Sequence, residues 1–175
     1  MDISFFKPLC FILLSLLAQT AIAQEVPVGQ WQSHFSFQSA GSVEIVGDKV
    51  YAARSGLYAY SISDNDFTHY TKVNGLSDVD IQFIRYDAST SNLLIVYQNG
   101  NIDLLNEGQV SNMPDIRNLN ITGSKKINSV YFKNKLMYLC TDFGIVVLNP
   151  VRKEIKESYV LQDASEIIKV KGLTS

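Results

Sequence analysis

Residues 94–105 read LIVYQNGNIDLL, and this stretch decides the fold. An apolar run, the turn pair Asn99-Gly100 and a second apolar run follow one another directly, which predicts a β-hairpin. The same arrangement surrounds two other glycines, Gly56 and Gly144, which lie 44 residues before and 44 residues after Gly100. We interpret all three as structural turn glycines with φ > 0, a conformation that a residue without Cβ adopts cheaply. The chain therefore contains an internal repeat.

Each repeat predicts four short strands. A hairpin is expected upstream of each glycine, around residues 43–49, 83–92 and 130–135, and a further strand ends near Ser61, Leu105 and Leu148. A weaker fourth strand follows, and residues 153–161 alternate with strand period rather than helix period. Four-stranded units of about 40 to 50 residues are typical of propeller blades.

The fold class is therefore all-β, and we predict a β-propeller with about three four-stranded blades plus the start of a fourth. The repeats lie near 40–78, 79–124 and 125–164, and residues 166–172 resemble the first strand of the next unit. A propeller closes with about 4 to 8 blades, so we expect this chain to be the N-terminal part of a longer protein. The alternative is a small self-contained sandwich of the same strands.

The first 23 residues have the layout of a signal peptide. Lys7 precedes an apolar run from Leu9 to Leu17, and small residues end at Ala23, so we expect cleavage between Ala23 and Gln24. An uncleaved anchor helix is the alternative, but the apolar run falls short of the roughly 20 residues that span a bilayer. We predict an exported mature chain, residues 24–175, without a membrane span.

Charge and composition exclude some classes of protein. Lys and Arg number 15 against 17 acidic residues, for a net charge of -2, so a basic face for nucleic acid is not expected. Apolar residues make up 46% of the chain, enough for a sizeable core. In the mature chain Cys140 is the only cysteine, so no disulfide framework is expected, and its apolar surroundings predict a buried thiol.

Catalytic and metal-binding patterns are weak. The histidines His34 and His69 have no partner at metal-ligand spacing. Residues 64–66 could begin a calcium loop, but a turn is favoured because the following residues do not continue such a loop. Asp78 and Asp80 could form a carboxylate pair, although charged turn residues are commoner. We predict no catalytic residues, no cofactor and no metal, and therefore no enzyme.

Aromatic residues suggest two packing roles. Trp31, His34 and Phe35 lie in a presumed first strand, which we expect to pair with the last blade and close the ring. Tyr58 and Tyr60 are two residues apart and share a sheet face. They either pack between blades or form a contact surface for sugars.

The second repeat resembles a known propeller family. Residues 74–78, NGLSD, followed by residues 94–100, are similar to the two-component-regulator propeller repeat of exported sensor domains. Further segments of the chain resemble, in the same order, the first propeller of the PorZ family. They are WQSHF at 31–35, NIDLL at 101–105, MPDI at 113–116, NITG at 120–123 and FGIVV at 143–147. The similarity extends from Trp31 to Thr174.

This resemblance implies a non-enzymatic component of the type IX secretion system at the cell surface of a Gram-negative bacterium. The implied partners are proteins of the outer-membrane attachment (sortase) complex, which attaches anionic lipopolysaccharide to cargo. Lipopolysaccharide recognition would belong to a C-terminal domain outside this sequence. The alternative function is a periplasmic ligand-sensing propeller of a hybrid two-component regulator, and an exported hydrolase is disfavoured by the lack of a catalytic constellation.

Overall fold

The computed structural model describes residues 39–163 and 166–173. Its first sheet contains β1 (Ser42–Val46), β2 (Lys49–Ala53), β3 (Leu57–Ser61) and β4 (Asp66–Tyr70). The second sheet contains β5 (Ile81–Asp87), β6 (Asn92–Tyr97), β7 (Ile102–Asn106) and β8 (Gln109–Met113). After the one-turn helix α1 (Asp115–Asn118), the third sheet contains β9 (Ile127–Lys133), β10 (Leu136–Thr141), β11 (Gly144–Asn149) and β12 (Glu154–Val160). The short strands β13 (Gln162–Asp163) and β14 (Glu166–Ile167) pair with each other.

Each large sheet is an antiparallel meander in chain order, which is the topology of a propeller blade. Tight turns between neighbouring strands fix which residues pair across each hairpin. Asn134 and Lys135 both have positive φ, 53° and 59°, and they join β9 to β10 as a two-residue turn of the type that suits hairpin twist. The predicted all-β fold with four-stranded blades is confirmed.

The second sheet lies between two apolar cores. In β6 the side chains alternate between them: Leu94 and Val96 pack in a core with the third sheet, whereas Leu93 and Ile95 pack in a core with the first sheet. This explains why every residue of β6 is buried, while β4 and β12 are largely exposed. A continuous apolar run in a strand is what burial on both faces requires.

Side chains of one sheet also bond the backbone of the next. Ser42 Oγ accepts a hydrogen bond from Ile84 N at 3.1 Å, and Gln82 Nε2 donates to Ile127 O at 2.7 Å. Asn128 Nδ2 donates to Val170 O at 2.8 Å in the same manner. Residues 168–173 therefore lie against β9. In the same way, β9 lies against β5, and β5 lies against β1.

Within the described residues, no helix has the length and apolar character needed to cross a membrane. The Cys140 side chain is fully buried in β10, as its apolar surroundings predicted.

Candidate functional site

The connections between sheets meet the central hairpin turns at one end of the sheets. We call this end the loop face and define it by residues 71–80, 98–101, 114–126 and 142–143. Hydrogen bonds join these segments: Gln98 N donates to Asp80 O at 3.2 Å, and Asp142 N donates to Lys126 O at 3.0 Å. Contacts among its own segments therefore hold the loop face together.

Asp78 is the main electrostatic centre of the loop face. Asp78 is only 9% exposed, and its Oδ2 accepts hydrogen bonds from Asn99 Nδ2 at 2.7 Å and from Arg117 Nη1 at 3.3 Å. Lys72 Nζ lies 3.9 Å from the other carboxylate oxygen. Burial opposes ionisation, but the hydrogen bonds from Asn99 and Val79 N and the charges of Lys72 and Arg117 outweigh it and lower the pKa of Asp78. Asp78 is thus a permanent anion at neutral pH that ties together three segments.

Asp78 and Asp80 do not form a carboxylate pair with a shared role. Asp78 is buried in the ion-pair cluster, whereas Asp80 is exposed, with φ 57°, and contributes its backbone carbonyl. The sequence prediction of charged turn residues describes Asp80 but misses the burial of Asp78, because its partners come from residues 21 and 39 positions further along the chain.

A second buried carboxylate, Asp103, lies below the same loops. It is fully buried and accepts hydrogen bonds from Tyr97 OH at 2.6 Å, from Ser77 N at 2.8 Å and from Asn112 Nδ2 at 2.8 Å. Burial and the hydrogen bond to Asp103 raise the pKa of Tyr97, so its hydroxyl stays protonated as a donor. The role of Asp103 was not predicted from the sequence, although one acidic residue inside the apolar strand β7 was a usable signal. Asp103 fixes the connection between the first two sheets onto the second.

The third sheet repeats this design with different residues. Asp142 accepts hydrogen bonds from Asn128 Nδ2 at 3.0 Å and from Lys171 Nζ at 3.2 Å. Its pKa is lowered to about 2, first by the Asn128 hydrogen bond, against the opposing effect of burial, and further by Ser124 and Lys171. Each of these carboxylates is an anchor between segments rather than a free acid or base.

Gly56 and Gly100 lie in the hairpin turns between the second and third strands, and Gly144 is the first residue of β11, directly after such a turn. Gly100 and Gly144 have φ of 82° and 137°. Gly56 does not adopt positive φ, so the physical reason predicted for it is wrong. A Cβ on Gly56 would instead lie 3.1 Å from Tyr70 O, and this close backbone approach is what favours glycine there.

Other candidate residues lie apart from the loop face. His69 is exposed on β4 and stacks on Tyr58 with ring centroids 6.5 Å apart. Tyr60 packs against Phe67 at 4.7 Å on the same face of the first sheet, so Tyr58 and Tyr60 share a face as predicted. In residues 64–66, Asn65 has φ 52° and accepts a hydrogen bond from Tyr60 OH, as a turn residue does.

Two predicted groups lie outside the described residues. They are the ring-closure residues Trp31, His34 and Phe35 and the cleavage pair Ala23 and Gln24, and both roles stay predictions. Within residues 39–163 and 166–173, no three His, Cys, Asp or Glu side chains are grouped so that they could hold a metal ion.

Comparison with known proteins gives both a family and a fold. Residues 50–174 match the family model of the PorZ N-terminal beta-propeller domain of the type IX secretion system. PorZ of Porphyromonas gingivalis, described as an essential bacterial surface component of that system, is similar with a TM-score of 0.64 and 28% identity. That match covers 69% of this chain and 16% of the PorZ chain.

The extracellular domain of BT4673 from B. thetaiotaomicron is also similar in structure. It is assigned to a one-component system in one structure and to a hybrid two-component system in another, with a TM-score of 0.57 and 18% identity in both. The match covers 75% of this chain and 18% of that domain, and at this identity it shows the fold alone. No curated protein matches the sequence.

The chain thus spans less than a fifth of the length of these solved relatives. The family model nevertheless covers well over half of the chain, including all four strands of the second and third sheets. On this evidence the chain belongs to the family of PorZ N-terminal β-propeller domains.

Proposed function

We propose that this chain is a non-catalytic interaction propeller of the type IX secretion attachment (sortase) complex at the cell surface, linked to the delivery of anionic lipopolysaccharide. The observation that carries this proposal is the family match over residues 50–174, together with 28% identity to a surface component of the same secretion system. Export by the predicted signal peptide, with cleavage after Ala23, belongs to the same proposal.

The loop face is the surface that we assign to the protein partner. Val73 and Val79 are 74% and 40% exposed on the connection between the first two sheets, directly beside the Asp78 ion pairs. Exposed apolar side chains within a polar rim are the usual composition of a protein contact. Because buried carboxylates hold this connection in place, little conformational entropy remains to be lost when a partner binds.

The alternative function is ligand sensing by a periplasmic propeller of a hybrid two-component regulator. Its support is the likeness to the B. thetaiotaomicron extracellular domain, which concerns the fold only. The two functions differ in what fails when the domain is removed: surface attachment of cargo in the first, and a transcriptional response in the second.

Site-specific photo-crosslinking in a bacterium that uses type IX secretion tests the proposal. A photoreactive residue replaces Val73 on the loop face of the intact protein, and a matched one replaces Ile62, which is 55% exposed at the opposite end of the first sheet. We expect crosslinks from position 73, but not from position 62, to an outer-membrane protein of the attachment complex.

Deletion of the domain supplies the second measurement. We expect cargo proteins to be lost from the surface and to keep their secretion signals. Normal cargo attachment combined with a lost transcriptional response to extracellular oligosaccharides would replace the proposal with the sensing function.

A further inference from the structure

A groove of about 380 Å³ lies between the second and third sheets, at the end opposite the loop face. Its apolar lining comes from both sheets: Leu104 from β7, and Pro150 and Val151 from the turn between β11 and β12. Leu104 and Pro150 are buried, whereas Val151 is 67% exposed at the rim. A volume of several hundred Å³ is within the range of small-ligand sites.

Two asparagines supply fixed hydrogen-bond acceptors in this groove. Asn92 Nδ2 donates to Thr90 O at 3.0 Å, and Asn106 Nδ2 donates to Ser91 O at 2.9 Å. Both amide groups are therefore held in one orientation by the backbone of the turn between β5 and β6. Their Oδ1 atoms accept no hydrogen bond from any described residue, so each keeps a full capacity to accept one from a ligand.

The remaining polar lining supplies donors and little net charge. Gln109 is exposed and makes no side-chain hydrogen bond to a described residue. Lys153 Nζ donates to Ser111 Oγ at 2.7 Å across the groove, which leaves the Ser111 hydroxyl hydrogen for another acceptor. Glu107 and Lys153 are the two charged residues of the lining, and their charges offset each other.

We propose that this groove, which we call the inter-sheet groove, binds a neutral saccharide of two to three sugar units. Sugar hydroxyls both donate and accept hydrogen bonds, which suits a lining whose amide groups and hydroxyls supply both acceptors and donors. The C–H faces of a sugar ring suit the exposed Val151 side chain at the rim of the groove. A phosphorylated ligand would meet one lysine and one glutamate, and an apolar ligand would leave the amide groups without partners.

Ligand-observed NMR with the intact protein tests this inference, with maltotriose, cellotriose, mannotriose and chitotriose as probes and inorganic phosphate as the charged comparison. Val151→Trp fills the rim of the inter-sheet groove, and Gln109→Ala removes an exposed amide. Ile62→Trp is the matched control, because it adds the same side chain at the corresponding turn of the first sheet.

We expect at least one trisaccharide to bind, with affinity reduced at least tenfold by Val151→Trp, reduced less by Gln109→Ala and unchanged by Ile62→Trp. Saccharide binding that Val151→Trp leaves unchanged would overturn the assignment. So would the absence of binding by all four probes at millimolar concentration, or binding of phosphate in their place. This outcome is independent of the crosslinking test, because the loop face and the inter-sheet groove share no residue.

Discussion

At the scale of single residues, Gly144 is the glycine that leaves the least room for a side chain. A Cβ built on Gly144 would lie 1.9 Å from Tyr159 O, and its φ of 137° is unfavourable for any other residue. We expect Gly144→Ala to lower the free energy of unfolding by at least about 3 kcal/mol, because overpacking and an unfavourable φ act together. Urea denaturation of the intact protein measures this loss.

Gly108 is the matched control for this prediction. Its φ of 82° is also positive, but a Cβ there would meet no atom within 4 Å. Gly108→Ala should therefore cost only about 1 to 2 kcal/mol from backbone conformation alone. Equal losses for the two variants would show that the approach of Tyr159 does not matter.

Asp142 should make the stability of the fold depend on pH. The hydrogen bond from Asn128 and the other bonds and charge around this carboxylate lower its pKa to about 2 from 3.8. A lowered pKa in the folded state stabilises the fold above about pH 4, and this stabilisation is lost as pH falls from about 4 to about 2. The contribution is at most about 2 kcal/mol, because the side chain is 8% exposed but its partner Lys171 is 70% exposed.

Asp142→Asn tests this dependence by urea unfolding at pH 7, 4, 3 and 2. The variant should be less stable than the wild type at pH 7, and the difference should shrink below pH 4. Asp66→Asn, at the exposed start of β4, controls for the loss of one negative charge. A difference that stays constant from pH 7 to pH 2 would contradict the role assigned to the Asp142 carboxylate.

At the scale of elements, side chains of β9, the first strand of the third sheet, hold the backbone that follows this sheet. Asn128 Nδ2 bonds Val170 O at 2.8 Å, and Ser129 Oγ bonds Lys171 O at 2.9 Å. We expect Asn128→Ala to speed amide hydrogen exchange of residues 168–173 by about tenfold, since it removes the hydrogen bond to Val170 O and a lost hydrogen bond costs about 1 kcal/mol or somewhat more. The substitution also removes the hydrogen bonds of the Asn128 side chain with Asp142 and Lys171. Exchange in β6 should stay unchanged.

Asn120→Ala serves as the control, because Asn120 is exposed and makes no hydrogen bond through its side chain to a described residue. If Asn128→Ala changed exchange in residues 168–173 no more than Asn120→Ala does, Asn128 would not hold this segment.

The strands were more predictable from the sequence than the contacts between them. The pattern around Asn99-Gly100 predicted β6 and β7 because turn chemistry and apolar runs are local properties. Asp78 was harder to interpret, because its burial depends on Asn99 and Arg117, which only the folded topology brings near. The inter-sheet groove was likewise not predicted, since it is formed by turns of two sheets that are distant in sequence.

At the scale of the whole described unit, the second sheet connects two cores. Leu93 is 3% exposed and faces the first sheet, and its neighbour Leu94 is fully buried and faces the third. In stacked architectures, stability is approximately the sum of each unit and its contacts with its neighbours. Because β6 contributes side chains to both cores, loss of either core should weaken the entire stack.

We therefore predict that Leu93→Ala and Leu94→Ala each cost about 2 to 5 kcal/mol, and that each lowers the urea midpoint of all three sheets together. Hydrogen exchange of peptides from β2–β3 and from β10–β11 across a urea series measures this coupling. Val43→Ala is the control, because Val43 is 53% exposed and should change stability by no more than about 0.5 kcal/mol. If Leu94→Ala shifted only the β10–β11 peptides, the sheets would unfold separately. The second sheet would then be a spacer between two independent units rather than the element that couples them.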